Sequence, residues 1–335
     1  MTEVRLFPWL EKQWLALLVM RDRLPQALLF HGAQGLGKLA FAQHFAQAML
    51  CEAPSLNADS ACGRCGACAL FKAGTHPDYL LVQPQDESQE EGESASAQVK
   101  ASALISVAAI RALTDFNQIS SSRGRSKIVV LHPAEAMNRN AANALLKTLE
   151  EPMSGLRIVL VSHLPGRLPA TIRSRCSAVA FAQPDRDLAI QWLEGQRISD
   201  AAAALDHAAG APLLARDQQA DPRHASARQA AVKALVGNGD PALIVDEMMG
   251  CEPDLMVTLL QKYALDQLAL KLAGRAIYQS ALSPSSNVAQ VELDAPFWVR
   301  WYQALVSEAR CVHHPLNPRL RCERILNSVP RAADN

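Results

Sequence analysis

The segment from Gly32 to Leu39 reads Gly-Ala-Gln-Gly-Leu-Gly-Lys-Leu, and it decides which fold the chain can adopt. It follows an apolar run, Ala27 to Phe30, and it precedes a helix-like run that ends at Leu50. A strand, a glycine-rich turn and a helix in this order are the context of a phosphate-binding P-loop. The backbone N–H groups of such a turn, together with the helix N-terminus, attract phosphate oxygens. The segment therefore predicts a phosphate site, and a glycine-rich turn without a ligand is the alternative.

Four residues of this segment are the candidate nucleotide binders: Gly32, Gly35, Gly37 and Lys38. Lys38 would reach the outer phosphates of ATP or ADP. The residue after the lysine should offer a Ser or Thr hydroxyl to Mg²⁺, but Leu39 has no oxygen in its side chain. We therefore expect that any bound nucleotide is not hydrolysed.

A second metal-holding position is missing from the next strand of the pattern. The apolar run Ile128 to Leu131 predicts a buried strand, which in a P-loop ATPase ends in an Asp for Mg²⁺ and then an acid that activates water. His132 and Pro133 occupy these positions. Imidazole is a poor ligand for Mg²⁺, and proline has no ionisable group. Two independent losses of the same chemistry predict that this chain alone is not an ATPase.

Four cysteines are crowded into one short window: Cys51, Cys62, Cys65 and Cys68. Two of their gaps have the Cys-x-x-Cys spacing of a chelate, and four thiolates close a tetrahedral Zn²⁺ site without leaving a position for water. The window therefore predicts one structural zinc ion. An iron–sulfur cluster and a redox dithiol have compatible spacing, although no thioredoxin-like pattern surrounds the cysteines.

The chain divides into an α/β part and a helical part. Short strands alternate with helices over residues 1–168, which predicts a parallel, doubly wound sheet. This domain contains the cysteine module at 51–75 and an insert at 84–99 with five acids and no basic residue, a composition typical of a solvated segment. Helical patterns then predict a small domain at 169–209 and a larger one at 210–335.

Composition excludes some classes of protein. Lys plus Arg and Asp plus Glu are each 33, so a strongly basic nucleic-acid binder is disfavoured. A zinc-bearing nucleic-acid module is a weaker alternative, because Arg64 and Lys72 are the only basic residues from 51 to 75 and no aromatic residues are interleaved with them for base stacking. The N-terminus lacks a signal-peptide pattern, and no apolar stretch reaches the ~18 residues of a membrane span. We expect a cytoplasmic protein with no membrane contact.

These motifs together resemble the AAA-type subunits of clamp loaders, and within them the delta-prime family of the bacterial DNA polymerase III complex. The resemblance is dense over residues 5–185 and thin over the helical remainder. The motifs that carry it are the P-loop, the four-cysteine insert, and the segments 74–78, 143–152, 174–176 and 316–320.

The resemblance implies an AAA-type domain with a zinc module, a helical lid at 169–209 and a helical collar at 210–335 for oligomerisation. It implies a five-membered ring with motor subunits and a delta subunit, which loads the sliding clamp on primed DNA during DNA replication. The chain would be a non-hydrolysing stator within the DNA-directed DNA polymerase holoenzyme. An active motor ATPase of the same ring is the alternative.

The resemblance also assigns a role to Arg175 in the segment Ser174-Arg175-Cys176. It implies that Arg175 is an arginine finger, supplied in trans to ATP on a neighbouring motor subunit. A guanidinium is permanently charged and suits this task. An intramolecular salt bridge is the alternative role. The chain departs from the motor subunits at 210–213, where Leu213 stands in place of their lid arginine.

Overall fold

The computed structural model describes most of the chain in two compact units, Met1–Pro184 and Asp185–Asn335. The described residues are 6–20, 23–53, 61–84, 104–122, 126–151, 155–236, 240–251, 253–278, 294–310 and 317–329. The predicted acidic insert lies outside these residues from position 85 onward.

Five parallel strands form the sheet of the first unit, in the order β2-β3-β4-β1-β5. Parallel sheets are buried on both faces, and the apolar runs at 28–30, 128–131 and 158–161 in the central strands have the composition that such burial requires. The predicted α/β fold class is confirmed. The strands are β1 Ala27–His31, β2 Tyr79–Val82, β3 Lys127–Leu131, β4 Leu156–Ser162 and β5 Ser177–Ala180.

Helices connect these strands, and polar side chains cap several of them. The Asn138 side chain accepts a hydrogen bond from the Ala141 N–H, and Ser106 accepts one from the Ala109 N–H, which fixes two helix starts. The helices are α1 Glu11–Val19, α2 Lys38–Leu50, α3 Gly66–Ala73, α4 Val107–Gln118, α5 Arg139–Glu150 and α6 Ala170–Arg173, with 3-10 turns at Pro8–Leu10, Ala134–Ala136 and Pro165–Arg167.

The two faces of the sheet are covered differently. On one face, aliphatic residues of the strands pack with α4 and α5, as Val129 and Ile158 do with Ile110. On the other, aromatic rings dominate: Phe30 of β1 meets Phe41 of α2 edge to face, with ring centroids 5.3 Å apart. The aromatic face fixes α2 against β1, and thereby fixes the turn between them.

The sheet extends past the predicted border at residue 168. β5 pairs with β1 in parallel, with Leu28 opposite Ser177 and His31 opposite Ala180. The apolar run of this strand is short and consists mostly of alanine, and most of its four residues are exposed, so hydrophobic periodicity does not reveal it. The first unit ends at Pro184 by contacts within the fold, and the division into three domains remains a prediction.

The second unit is helical throughout its described residues and contains two hydrophobic clusters. The smaller cluster joins α7 to α9 around Leu193 and Leu205, and the larger one surrounds Trp298, Trp301 and Tyr263. The helices are α7 Arg186–Gly195, α8 Ala201–His207, α9 Pro212–Ala220, α10 Pro222–Val236, α11 Pro241–Met249, α12 Pro253–Ala273, α13 Ala295–Arg310 and α14 Pro318–Ser328. No helix in the described part of either unit is both long and apolar enough to cross a bilayer.

Candidate functional sites

The glycine-rich turn lies between the end of β1 and the start of α2, as the sequence predicts. Gly32, Gly35 and Gly37 all have positive φ angles, of 150°, 80° and 88°. A Cβ on Gly32 would lie 2.3 Å from the Phe181 carbonyl oxygen, and one on Gly37 would lie 2.6 Å from the Phe7 ring. The turn therefore requires glycine for its backbone conformation and for the closeness of its neighbours.

Lys38 is buried inside this turn, with 2% of its surface exposed. Its Nζ donates hydrogen bonds to the carbonyl oxygens of Gly32, at 2.7 Å, and of Ala33. Burial lowers the pKa of Lys38 to about 8, although the negative charge of Glu135 opposes the shift. A nucleotide that binds here must offer phosphate oxygens in place of these two carbonyls.

Two aromatic residues near the N-terminus, Phe7 and Trp9, pack against the outside of the turn. The rings of Phe7 and Trp9 are stacked with centroids 5.0 Å apart, and the Trp9 Nε1–H donates to the buried Leu36 carbonyl oxygen at 3.0 Å. The sequence motifs described above do not include these aromatic residues. Their role depends on a contact across 27 residues, for which no local pattern exists.

Two histidines lie at the carboxyl ends of neighbouring strands, where an ATPase would hold its metal ion. The Nε2 atoms of His132, after β3, and His163, after β4, are 3.2 Å apart, and Gln83 lies 3.3 Å from the other ring nitrogen of His132. One proton is shared in such a hydrogen bond, so the two rings cannot both be cations. The pKa of His163 is lowered to about 4 by burial first, and then by the positive charges of Lys38 and His132. Neutral imidazoles therefore replace the carboxylates that Mg²⁺ prefers.

Glu135 is a charged residue of this edge that the sequence analysis missed. Its Oε1 accepts hydrogen bonds from the backbone N–H groups of His163, at 2.9 Å, and Leu164, at 3.2 Å. Burial alone would raise the pKa of Glu135, but backbone hydrogen bonds, including that from His163, outweigh it and lower the pKa. The carboxylate is thus ionised and ties the residues after β3 to those after β4. Its position four residues beyond the strand explains why strand-end reasoning did not find it.

The four predicted cysteine ligands come together next to the end of α2. Their Sγ atoms all lie within 4.8 Å of one another, and those of Cys51 and Cys65 are 3.9 Å apart. Backbone N–H groups point at the sulfurs: the Cys62 N–H donates to Cys51 Sγ, and the Cys68 N–H donates to Cys65 Sγ. Among the described residues this is the one group of His, Cys or acidic side chains close enough to share a metal ion.

This arrangement fits zinc. With Zn–S bonds of about 2.3 Å, the sulfurs of a tetrahedral site are about 3.8 Å apart, close to the distance between Cys51 and Cys65. All four cysteines are free thiols, and N–H···S hydrogen bonds stabilise thiolates. Four sulfur ligands leave no open position, so the metal would hold the module together rather than activate water.

Arg175 lies on the turn between α6 and β5. Its guanidinium forms an ion pair with Glu150 of α5 at 2.7 Å, and it donates a second hydrogen bond to the Thr171 carbonyl oxygen at 3.0 Å. The side chains of Arg175 and Glu150 are 38% and 49% exposed, so this pair is solvated and contributes roughly 0–1 kcal/mol. The intramolecular salt bridge considered as an alternative thus exists, and it is weak enough to be exchanged for another anion.

The parallel sheet, the P-loop after β1 and the cysteine module after α2 define an AAA-type P-loop protein of the clamp-loader kind. The family model described as DNA polymerase III, delta subunit, matches residues 11–185, just over half of the chain. The chain belongs to this family. The predicted resemblance to delta-prime subunits is confirmed by relatives that carry that name.

DNA polymerase III subunit delta' of Pseudomonas aeruginosa is 39% identical over 215 residues, which cover 63% of this chain and 60% of that protein. The protein of the same name from Escherichia coli K12 is 34% identical over 214 residues, or 62% of this chain and 59% of that protein. The chain therefore spans about three fifths of the length of the curated relatives that it matches.

Solved structures give a weaker likeness. A gamma subunit-related protein of DNA polymerase III from Thermotoga maritima aligns over 94% of this chain and 97% of its own, with 18% identity and a TM-score of 0.39. A score this low supports no inference about site or mechanism.

Proposed function

We propose that this chain is a clamp-loader subunit that does not hydrolyse ATP and that completes the active site of a neighbouring motor subunit with Arg175. Its partners would be the motor and delta subunits of a five-membered ring, and the ring would load the sliding clamp on primed DNA. A cytoplasmic location belongs to the same proposal.

The end of β3 is the observation that carries the first half of this proposal. Hydrolysis of ATP by a P-loop protein needs a hard, oxygen-liganded metal ion and an acid that positions water. Here His132 is hydrogen-bonded to His163, and the side chain of Leu39 at the start of α2 has no oxygen. One oxygen of the nearby carboxylate, Glu135, is held by backbone N–H groups, and the other is buried.

Nucleotide binding is a separate matter from hydrolysis. Gly32, Gly35 and Gly37 keep the left-handed conformations of a phosphate cradle, and Lys38 supplies a cation. We propose weak binding of ATP or ADP with an affinity reduced by the exchange of two internal hydrogen bonds of Lys38. The zinc ion of the cysteine module would be structural.

The arginine-finger assignment is supported by exposure and by chemistry. Arg175 has a planar fork of donors that suits phosphate, and its pairing with Glu150 is solvated. The residue is therefore available to an approaching anion at little energetic cost.

An active motor ATPase is the second candidate, and Glu135 is the residue that favours it. Its carboxylate interacts electrostatically with Lys38, as an acid beside a P-loop would. Phosphate release separates the two candidates. We expect the isolated chain with ATP and Mg²⁺ to match the background rate, and we expect Glu135→Gln to change nothing.

Turnover above background that disappears in both Glu135→Gln and Lys38→Ala would establish the motor assignment instead. In the assembled ring, the stator proposal requires that ATPase activity persists when this chain carries Lys38→Ala and falls when it carries Arg175→Ala. If the ring's ATPase activity falls with Lys38→Ala in this chain but not with Arg175→Ala, the stator proposal is wrong.

A further inference from the structure

The helical unit contains a cavity of about 100 Å³ that the proposed function does not use. Helices α8, α9, α10 and α12 contribute to its walls, and so does Tyr278 from the segment after α12. Among the residues that the structure describes, the lining is basic on its polar side and includes no carboxylate. Its basic members are His207, His224, Arg228 and Lys262.

The lysine and the arginine of this cavity have hydrogen-bonding capacity left over. Lys262 has three N–H donors, and one of them donates to the His207 carbonyl oxygen at 2.8 Å. The same ammonium lies 5.8 Å from the centre of the Tyr278 ring. Arg228 forms no hydrogen bond or ion pair with any other residue that the structure describes. A guanidinium and an ammonium that face one cavity without an acid suit an anion.

The surroundings of Lys262 explain why an anion would be stabilised there. Burial lowers the pKa of Lys262, and the charge of Asp266, one turn along α12, opposes the shift. Asp266 is fully buried, and its Oδ1 accepts hydrogen bonds from the N–H groups of Ile277, at 2.9 Å, and Tyr278, at 2.7 Å. The carboxylate therefore anchors the segment that carries Tyr278, and it lies outside the cavity lining.

The remaining walls indicate what kind of anion would fit. Ala204, Ala215 and Leu259 give the cavity an apolar floor, and the Tyr278 ring adds an aromatic surface. One buried water needs roughly 10–15 Å³ of such volume, so about 100 Å³ holds a ligand of about ten non-hydrogen atoms. Inorganic phosphate is smaller than this, and a nucleotide is much larger.

We propose that this cavity binds a small phosphomonoester. Arg228 and Lys262 contact the phosphate, and the organic part of the ligand lies on the apolar floor and against Tyr278. Basic donors with an adjacent apolar surface are the usual composition of a small-ligand site.

Phenyl phosphate tests this proposal, because it has eleven non-hydrogen atoms and combines the two chemistries. Calorimetric titration into the full chain should give saturable binding with one ligand per chain. Arg228→Gln and Lys262→Gln should each weaken binding about tenfold or more, because each removes a charge-assisted hydrogen bond. Lys271→Gln removes an exposed charge of the same helix, α12, and should leave the affinity unchanged.

Arg228 is exposed, so its substitution keeps the test valid even if Lys262→Gln fails to fold. Absence of saturable binding to the full chain at millimolar phenyl phosphate would overturn the proposal. So would equal affinity of Arg228→Gln and Lys271→Gln. Inorganic phosphate is the second probe: if it binds as tightly as phenyl phosphate, the apolar floor contributes nothing and the phosphomonoester assignment is wrong.

Discussion

Arg175 and Glu150 form an ion pair of 2.7 Å between the turn after α6 and the last residue of α5. Both side chains are partly exposed, and the Thr171 carbonyl oxygen accepts a second hydrogen bond from the same guanidinium. The pair orients the Arg175 side chain, but this interaction contributes little to stability. It is the resting arrangement from which, under the proposed function, the guanidinium would move to a phosphate of a neighbouring subunit.

Substitution of Arg175 should affect the complex rather than the chain. Arg175→Ala should leave folding and ring assembly nearly unchanged, since a solvated pair contributes little to stability. Arginine fingers supplied in trans are worth ~10³–10⁵ in rate at one site, so the ring should lose part of its ATPase activity and more of its clamp loading. Arg175→Lys should rescue poorly, because an ammonium lacks the planar fork. Loss of folding or assembly would make Arg175 structural, and normal loading would refute the finger.

Substitution of Glu150 should have the opposite effect on the ring's ATPase rate. Glu150→Gln removes the charge that competes with phosphate for Arg175, so the ring's ATPase rate should stay equal or rise by at most about fivefold, which corresponds to about 1 kcal/mol. Glu151→Gln removes an exposed acid at the adjacent position and is the matched control. If Glu150→Gln instead lowers the rate as far as Arg175→Ala does, Glu150 positions the finger for catalysis and does not merely restrain it.

The buried ammonium of Lys38 should make stability depend on pH in the alkaline range. Burial lowers its pKa to about 8 in the folded chain from the 10.5 of a solvated lysine, so between these pH values the unfolded chain binds more protons than the folded one. The free energy of unfolding of the wild type should therefore rise, relative to Lys38→Met, by about 1–3 kcal/mol from pH 8 to pH 10.5. Urea titrations at several pH values measure this difference.

Lys147→Met, which removes an exposed lysine from α5, is the control for that experiment. A difference between wild type and Lys38→Met that stays constant with pH would mean that Lys38 is not held in the buried position between the Gly32 and Ala33 carbonyls.

A methyl group on Gly32 should destabilise the first unit. The φ angle of 150° disfavours an L side chain, and the Phe181 backbone oxygen lies 2.3 Å from the position of the new atom. We expect Gly32→Ala to lower the free energy of unfolding by about 2 kcal/mol or more. Gly166→Ala is the control, because no atom of the described residues lies within 4 Å of its added Cβ. Equal stability of the two variants would contradict the observed conformation of the turn.

Metal analysis should give about one Zn²⁺ per chain, since four thiolates close one tetrahedron. Cys62→Ser should release the metal and increase hydrogen exchange over residues 61–75, while the sheet remains folded. Cys251→Ser changes a thiol that is not part of the cluster and should retain the zinc. Iron with visible absorbance would favour the iron–sulfur alternative, and a metal-free, fully folded native chain would exclude the zinc site.

The sequence alone determined the features that rest on short-range spacing. The glycine pattern at 32–38 requires a turn between a strand and a helix, because few other residues tolerate its backbone angles. The spacing of Cys62, Cys65 and Cys68 places three sulfurs within seven residues of the chain. Alternation of apolar strands and helices indicated the α/β class, because each period reports which face of an element is buried.

Tertiary structure alone decided the contacts between distant segments. His132 meets His163 only because β3 and β4 are neighbours in the sheet, and strand order is not encoded in either strand. The bonds of Glu135 to the residues after β4, and of Arg175 to Glu150, likewise join side chains whose separation in sequence has no period. Local patterns report burial and backbone conformation, whereas partner choice depends on how the whole chain packs.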